Sequence, residues 1–443
     1  MTLETFFVFL KRFIPRKLFV FFQPVYHRLL AFFAALIYCF PSRKIFVVGV
    51  TGTKGKTTVL EIINAILEQA GFKTALMSTL RFKVGDEEER NELKMTMPGR
   101  FFVQKFLRKA AKGGCEYALL EMTSQGVSQS RHKFIALDSM IFTNLAAEHI
   151  ESHGSFEKYR EAKVELFKAL QKSRKKKKVL VLNKDDENIK YFLPFKAEER
   201  WAYGIEGRGF EENGLGEDFK KLYVSKFILR ENGIDFEIGE KSFSSKLLGE
   251  FNLYNLLAAV SFALSQSVGE SVIKKAVEKF SGVSGRVEFI NEGQDFKIVV
   301  DYAHTPDSLQ KLYEVFQASR RICVLGATGG GRDKWKRIEF GRIAAANCDE
   351  IILTNEDPYD ENPAEIISNI AMGIESPFKY KIMADRRDAI REALRTAKKG
   401  DTVLITGKGT DPFIMGPNGS KIRWDDRDVA REEIGKILNS KQE

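Results

Sequence analysis

The stretch Gly49 to Val59, GVTGTKGKTTV, constrains this chain more than any other. A short apolar, β-branched run, Lys44 to Val50, leads into it. Helical spacing at Val59, Ile62, Ile63, Ile66 and Leu67 leads out, and Gly71 is a natural stop. Strand, glycine loop, helix is the context that a phosphate-binding loop requires. The familiar loop is G-x-x-x-x-G-K-[ST]. This one is shorter, with only Thr53 and Lys54 between Gly52 and Gly55. Gly52 and Gly55 let backbone N–H groups approach phosphate oxygens, and the helix N-terminus adds a positive dipole. Lys56 bridges β- and γ-phosphates and Thr57 offers a hydroxyl to Mg²⁺, with Thr53 and Thr58 assigned to the same nucleotide site. A phosphate site alone serves a kinase, a switch, a motor or a ligase equally.

A length of 443 residues suits two or three domains with full cores. A net charge of +10 points to anionic partners without choosing among nucleotide, lipid, carboxylate or nucleic acid. Cys39, Cys115, Cys323 and Cys348 are far apart and form no C-x-x-C pair. Neither a zinc cluster nor a disulfide framework is expected, and a reducing compartment is the default. The run Arg174 to Lys178, RKKKK, reads as a solvated loop.

Residues 1–44 are unusual. They hold 12 of the 51 aromatic residues and seven basic residues against one acid, Glu4. The longest uncharged apolar run, Leu29 to Phe40, has 12 residues, and a membrane span needs about 20. No small-residue cleavage pattern follows, so a signal peptide also fits poorly. A helical hairpin at a membrane surface, with cations on anionic headgroups, and plain packing onto the next domain both fit.

The remainder is α/β with a mainly parallel sheet. Strands are expected at Thr74–Thr79, Tyr117–Thr123, Ser139–Leu145 and Val179–Asn183, with a small β insertion over 219–248 that carries an Asn232-Gly233 hairpin signal. A break at 282–285 leads to a second, Rossmann-like α/β unit. Its strands are expected at Lys297–Tyr302, Ile322–Gly326, Glu350–Thr354 and Thr402–Thr406. The boundaries are 1–44, 45–283 and 284–443, and a cleft between two such units suits the meeting of two substrates.

Several polar segments end strands. Glu121 in LLEMTSQG is placed to hold Mg²⁺ or to serve as a structural carboxylate. His149 and His153 lie in FTNLAAEHIESHG, where either can be a ligand or a satisfied loop histidine. Lys163 in YREAKVELF reads from chemistry alone as a solvated helix lysine. Asp301 suits ribose hydroxyls and His304 suits phosphate, both in VVDYAHTPDSL. A second glycine turn, GATGGGRDKWKR, carries cations suited to a carboxylate.

Taken in order, GVTGTKGKTT, EMTSQGVSQSR, FTNLAAEHIESHG, YREAKVELF, GEFNLYNLLAA, GRVE, DYAHTPDSL, GRDKWKR, DRRDAIREAL, GDTVLITGKGTD and WDDRDVARE resemble the Mur ligases over about 45–435. The likeness is closest to the branch that adds the third amino acid of the peptidoglycan stem peptide. It implies a cytoplasmic enzyme using ATP and Mg²⁺. ATP phosphorylates an acceptor carboxylate, and an incoming amine displaces phosphate. By resemblance Lys56, Glu121, His149 and Lys163 are catalytic. Thr57, Glu121, His149 and Lys163, the last as a carbamate, hold metal. Asn252 and Asn255 contact adenine, while Arg286, Asp301 and His304 contact the nucleotide from the C-terminal unit. Thr96, Ser124, Gln129 and Arg131 grip the acceptor peptide, and Arg332, Asp357, Tyr359, Gly407 and Asp411 face the incoming amino acid. The partners implied are a UDP-MurNAc-dipeptide-like acceptor and a diamino acid, with membrane-surface contact through 1–44 at the inner face and no nucleic acid.

Three departures stand out. The usual N-terminal uridine-binding domain is replaced by the aromatic, basic segment, so the acceptor is expected to be UDP-linked or lipid-linked. TMPG, Thr96 to Gly99, stands where T-T-P-[ED] is usual. Diaminopimelate-adding members carry D-N-P-R where this chain has Glu356, Asp357, Pro358 and Tyr359. The added acid favours the distal ammonium of L-lysine, unless Arg332 supplies the missing charge for meso-diaminopimelate. A family member with a folylpolyglutamate- or cyanophycin-type acceptor, and a membrane-associated nucleotide-binding protein without ligase activity, are the alternatives.

Overall fold

The computed structural model describes residues 16–148, 150–210, 214–375 and 380–440. Helix α1 (Arg16–Ile37) carries Pro24 inside it and packs Leu30, Ala31, Ala34 and Ala35 inward. It runs unbroken, so any hairpin partner for it falls on residues 1–15, outside the described residues. Among the described residues no helix is long and apolar enough to cross a membrane.

Strand β1 (Phe46–Thr51), helix α2 (Lys56–Gln69) and β2 (Thr74–Met77) follow as a parallel crossover. Val59, Ile62, Ile63, Ile66 and Leu67 of α2 are all fully buried, each contributing about 1.5–3 kcal/mol. That burial anchors a helix whose N-cap, Gly55, offers no side-chain hydrogen bond. The first-turn N–H groups are therefore available to a ligand.

The antiparallel pair β3 (Arg81–Val84) and β4 (Glu87–Arg90) forms one sheet edge. Then come α3 (Arg100–Lys112), β5 (Tyr117–Glu121), α4 (Ser124–Ser128), β6 (Ser139–Phe142), α5 (Ile150–His153), α6 (Phe156–Gln171), β7 (Val179–Asn183) and β8 (Glu199–Ile205). The expected β insertion is β9 (Phe219–Arg230), β10 (Gly233–Ile238) and β11 (Lys241–Ser245), turning at Asn232. It is not a separate element: β9 pairs in parallel with β8, so the insertion extends one sheet of eleven strands, ordered β11-β10-β9-β8-β7-β6-β1-β5-β2-β3-β4. Helices α7 (Glu250–Ser265) and α8 (Glu270–Lys279) join α2 on one face, while α3 and α6 cover the other. Both faces are covered, which is why the central strands read as continuous apolar runs. Strand order reverses at β1, which lies between β5 and β6. Ligands of open α/β sheets bind beyond the carboxyl ends of strands at such a point.

The chain then crosses to a second sheet of six strands: β12 (Glu288–Ile290), β13 (Lys297–Asp301), α9 (Pro306–Val315), β14 (Arg321–Leu325), α10 (Trp335–Asn347), β15 (Glu350–Leu353), α11 (Pro363–Ala371), β16 (Tyr380–Ile382), α12 (Arg386–Thr396) and β17 (Thr402–Thr406). Its order is β12-β13-β17-β14-β15-β16, parallel except at β12. A small hairpin, β18 (Phe413–Met415) and β19 (Lys421–Arg423), precedes α13 (Asp426–Asn439).

Two expectations need correction here. Cys323 and Cys348 form a disulfide. The β14–α10 connection folds back on itself, so residues 25 apart in sequence come to a Cα separation of 6.1 Å. Cys39 and Cys115 are free. The basic run is also not uniformly solvated: Arg174, Lys176 and Lys177 are exposed, but Lys175 turns inward to Asp138 at 2.9 Å.

Candidate active site

The glycine loop leaves β1 beside the ends of β5 and β6. Gly52 has φ of 155° and Gly55 of 83°, in the region that favours glycine. A Cβ at Gly52 would lie 1.9 Å from the Thr143 hydroxyl, and one at Gly55 2.2 Å from Asn255 Oδ1. The loop is clamped by the segment after β6. Thr53 N–H donates to the Asn144 carbonyl at 2.8 Å, Lys54 N–H to Asn144 Oδ1 at 2.9 Å, and the Thr143 hydroxyl to the Lys54 carbonyl at 2.7 Å. Lys56 Nζ folds over the loop, donating to the carbonyls of Gly52 at 3.1 Å and Thr53 at 2.9 Å. Thr53, Thr57 and Thr58 are buried and line the same cleft.

Glu121, at the end of β5, is buried and accepts from the Thr57 hydroxyl at 2.9 Å, from Thr79 N–H at 2.9 Å and from the Thr79 hydroxyl at 3.0 Å. Thr96 extends the chain through a 2.8 Å contact with Thr79. The carboxylate and two hydroxyls are hard oxygen donors, the kind Mg²⁺ accepts alongside water and phosphate. Among the described residues no cluster of three or more His, Cys, Asp or Glu could hold a metal alone. His149 lies outside the described residues. His153 is not aimed at Glu121; its Nε2 meets the Ser124 hydroxyl at 3.1 Å.

Lys163 overturns its reading as a solvated helix lysine. It is 2% exposed, because α6 turns this face against the phosphate loop, and its Nζ donates to the Gly52 carbonyl at 2.7 Å. Burial holds its pKa well below the ordinary lysine value; Lys56 and Lys54 push the same way, against Glu148 and Glu121.

The second unit closes over this loop. From the first unit, Asn252 and Asn255 on α7 are buried and bonded to each other at 2.9 Å. The Arg286 guanidinium stacks 4.3 Å above the Tyr302 ring. Asp301 accepts from the N–H groups of Val287 at 2.7 Å and Ala303 at 2.6 Å. His304 lies 3.5 Å from Glu148, which also meets Lys54 at 3.4 Å. Burial, and then Lys54, lower the His304 pKa to about 3, so the ring is neutral. The cleft so formed has a volume of about 1250 Å³.

Further along the cleft, Arg131 donates to Gln129 at 2.7 Å and to the Met97 carbonyl. Gln129 does not line the cleft; it orients Arg131 instead. Ser124, Gly407, Asp411 and Tyr359 do line it. Tyr359 sits at φ of 52°, with its ring against Gly330, where a Cβ would come within 2.8 Å of the ring.

The reading of Asp357 as free negative charge is corrected. Its Oδ1 accepts from Lys408 Nζ and its Oδ2 from Lys94 Nζ, at 2.8 and 2.9 Å, and the same lysines meet Asp411 at 3.1 and 3.0 Å. Burial opposes ionisation of Asp357, but Lys408 and Lys94 outweigh it and lower the pKa. Two acids and two lysines balance. Arg332 lines the cleft without an ion pair among the described residues. Lys94 escaped sequence reasoning, because nothing local marks it, and Thr143, Asn144 and Glu148 stood inside the quoted FTNLAAEHIESHG without a role. Lys408 stood inside the quoted GKGTD.

The Mur ligase middle-domain model matches residues 50–263, and the Mur ligase, glutamate ligase domain model matches 285–409. Proteins of Syntrophomonas wolfei and Gloeobacter violaceus named UDP-N-acetylmuramoyl-L-alanyl-D-glutamate--2,6-diaminopimelate ligase are each 36% identical to this chain. The first match covers 92% of this chain and 82% of the relative, the second 91% and 80%. A solved structure of a protein with that name superposes with a TM-score of 0.60 at 29% identity, over 89% of this chain and 79% of its own.

Proposed function

The chain belongs to the Mur ligase family, and we propose that it is an ATP-dependent ligase joining meso-2,6-diaminopimelate to the D-glutamyl carboxylate of UDP-N-acetylmuramoyl-L-alanyl-D-glutamate. One observation carries this reading. A single cleft is lined by the phosphate loop, by the Thr57–Glu121 pair and by the cations Arg131 and Arg332. The names of the relatives support the same substrates.

The glutamyl carboxylate oxygen attacks the γ-phosphorus of ATP, and ADP leaves. The amine then attacks the acyl carbon, loses a proton, and the C–O bond to phosphate breaks. Such chemistry needs alignment and charge neutralisation more than a protein nucleophile. The loop N–H groups, Lys54 and Lys56 bind phosphate. Asn252 and Asn255 hold the adenine; Arg286, Asp301 and His304 close over the sugar and phosphates. Arg131, held by Gln129, grips the acceptor peptide with Thr96 and Ser124. Arg332 takes the distal carboxylate of the diamino acid, since Asp357 and Asp411 are already neutralised by Lys94 and Lys408, and Tyr359 and Gly407 line that end.

Thr57 and Glu121 offer oxygen donors suited to Mg²⁺ and would hold it, with Lys163 as its carbamate and His149 as the further ligands the family resemblance implies. When bound it supplies neutralisation of the charge that builds on the phosphoryl oxygens.

The test is phosphate release from ATP with this acceptor and a panel of amino acids. Release dependent on meso-diaminopimelate is expected; release indifferent to every amino acid would reject the reading. We propose also that α1 brings the enzyme to the inner face of a membrane. Deleting residues 1–40 is then expected to abolish liposome binding and spare ATP binding.

A further inference from the structure

Helix α1 is apolar on both faces. Leu30, Ala31, Ala34 and Ala35 face inward, while Val25, Leu29, Phe33, Leu36 and Ile37 point outward, each 48–55% exposed. At 100° per residue these sets lie on opposite sides of the helix. A helix apolar on both faces belongs in a core or against a membrane, and α1, whose uncharged apolar run is too short to span, suits the interface plane.

On one flank of the outward stripe lies a second cavity of about 560 Å³, within the usual range of about 300–1,000 Å³ for ligand pockets. Arg28, Arg43, Lys133, Lys172, Arg174 and Lys175 line it, and no acid among the described residues does. Lys175 is neutralised by Asp138 at 2.9 Å, and Lys133 reaches Glu165 only at 3.9 Å. Arg28, Arg43, Lys172 and Arg174 have no ion pair among the described residues. The Lys133 pKa is lowered by burial and, against Glu165, by Lys172, Arg28 and Lys168, so these cations crowd one another.

His132 gives an independent sign. It is 1% exposed, it lines the cavity, and neither ring nitrogen has a hydrogen-bond partner among the described residues. A buried polar group left so costs free energy unless a ligand pairs with it. Its pKa is lowered to about 3, chiefly by burial, so the ring is neutral and has one N–H to donate. Phe134, also on the cavity wall, packs edge-on against Phe32 of α1 at 5.4 Å, which joins the polar cavity to the apolar stripe.

We propose that this cavity binds the phosphate headgroup of an anionic membrane lipid while the outward face of α1 lies among the acyl chains. The cations supply charge complementarity that a second protein copy, carrying the same positive surface, would not. The proposal rests on the peripheral contact inferred above and adds to it a headgroup site and a lipid preference.

The test is co-sedimentation of the full chain with phosphatidylcholine vesicles and with vesicles that also contain phosphatidylglycerol. Binding is expected to be at least about tenfold stronger to the second. The Lys172→Glu/Arg174→Glu variant is expected to lose that preference and keep the parent's ligase rate. Phe33→Ser/Leu36→Ser should bind both vesicles less. Equal binding of the parent to both vesicles, or an unchanged preference in the charge-reversed variant, overturns the headgroup site and leaves the peripheral contact standing. No binding to either vesicle overturns both. A solution dimer that Phe33→Ser/Leu36→Ser dissociates, without any vesicle binding, also overturns the proposal.

Discussion

Lys163 Nζ donates to the carbonyl oxygen of Gly52 at 2.7 Å, across 111 residues of sequence. The bond holds a buried amine against the phosphate loop, and burial pulls its pKa well below the ordinary lysine value, which favours the neutral form. A neutral amine adds to carbon dioxide: an N–C bond forms, a proton leaves, and the cation becomes a carbamate anion. Protein incubated with ¹³C-bicarbonate is expected to give a carbamate resonance that Lys163→Met lacks, and that variant should lose about 10- to 100-fold in kcat. A parent spectrum without the resonance would count against the carbamate.

Glu121 accepts from the Thr57 hydroxyl at 2.9 Å, so two candidate metal oxygens are pre-positioned. Glu121→Gln keeps the shape and removes the charge. The Mg²⁺ concentration for half-maximal activity is expected to rise about 10- to 100-fold. An unchanged Mg²⁺ titration would remove Glu121 from the metal set.

The Lys54 ammonium is lowered to about 8, first by burial and then, against Glu148, by Lys56, Lys336 and Arg286. A phosphate brought beside it favours the charged form and raises that pKa. Nucleotide binding just above pH 8 should therefore take up a fraction of a proton. Calorimetry in buffers of different ionisation enthalpy measures the uptake, and Lys54→Met should abolish it. Identical uptake in the variant would assign the proton elsewhere.

Arg332 lines the cleft near the balanced Asp357, Asp411, Lys94 and Lys408 group. Arg332→Ala is expected to raise KM for meso-diaminopimelate about tenfold or more, with little change for the acceptor. An equal rise for both would point to a general disturbance of the cleft.

Arg386 meets Asp426 through two bonds of 2.8 and 2.7 Å, both side chains being 1% exposed or less. Trp424 donates to the same carboxylate at 2.8 Å. Arg386→Met strands a buried charge and is expected to cost about 3–5 kcal/mol in urea unfolding. Breaking the exposed Arg342–Glu339 pair should cost about 1 kcal/mol or less. Similar losses for both would refute a structural role for the buried pair.

Much of the fold was legible in the sequence. Strand, glycine loop and helix at 44–71 follow from local periodicity, and the second unit's strand and helix alternation was read nearly to the residue. Thr402–Thr406 falls where its pattern puts it, and Lys297–Asp301 ends one residue short of its expected bound. The insertion at 219–248 was legible as strands, but its parallel pairing with β8 was not. Which neighbour a strand takes depends on the sheet edge it meets.

The sequence by itself determined the family, the two α/β units and the glycine loop that lines the cleft, because glycine loops and apolar periods act within a few residues of chain. Only the tertiary structure decided which charges count. Lys163 looks like any helix lysine until α6 rotates it out of water against Gly52. Asp357 looks like a free acid until Lys94, from the loop after β4, and Lys408 close on it. Cys323 and Cys348 look separate until β14 and α10 fold back together. Burial and long-range pairing set the energy of a charge, and neither is a local property of the chain.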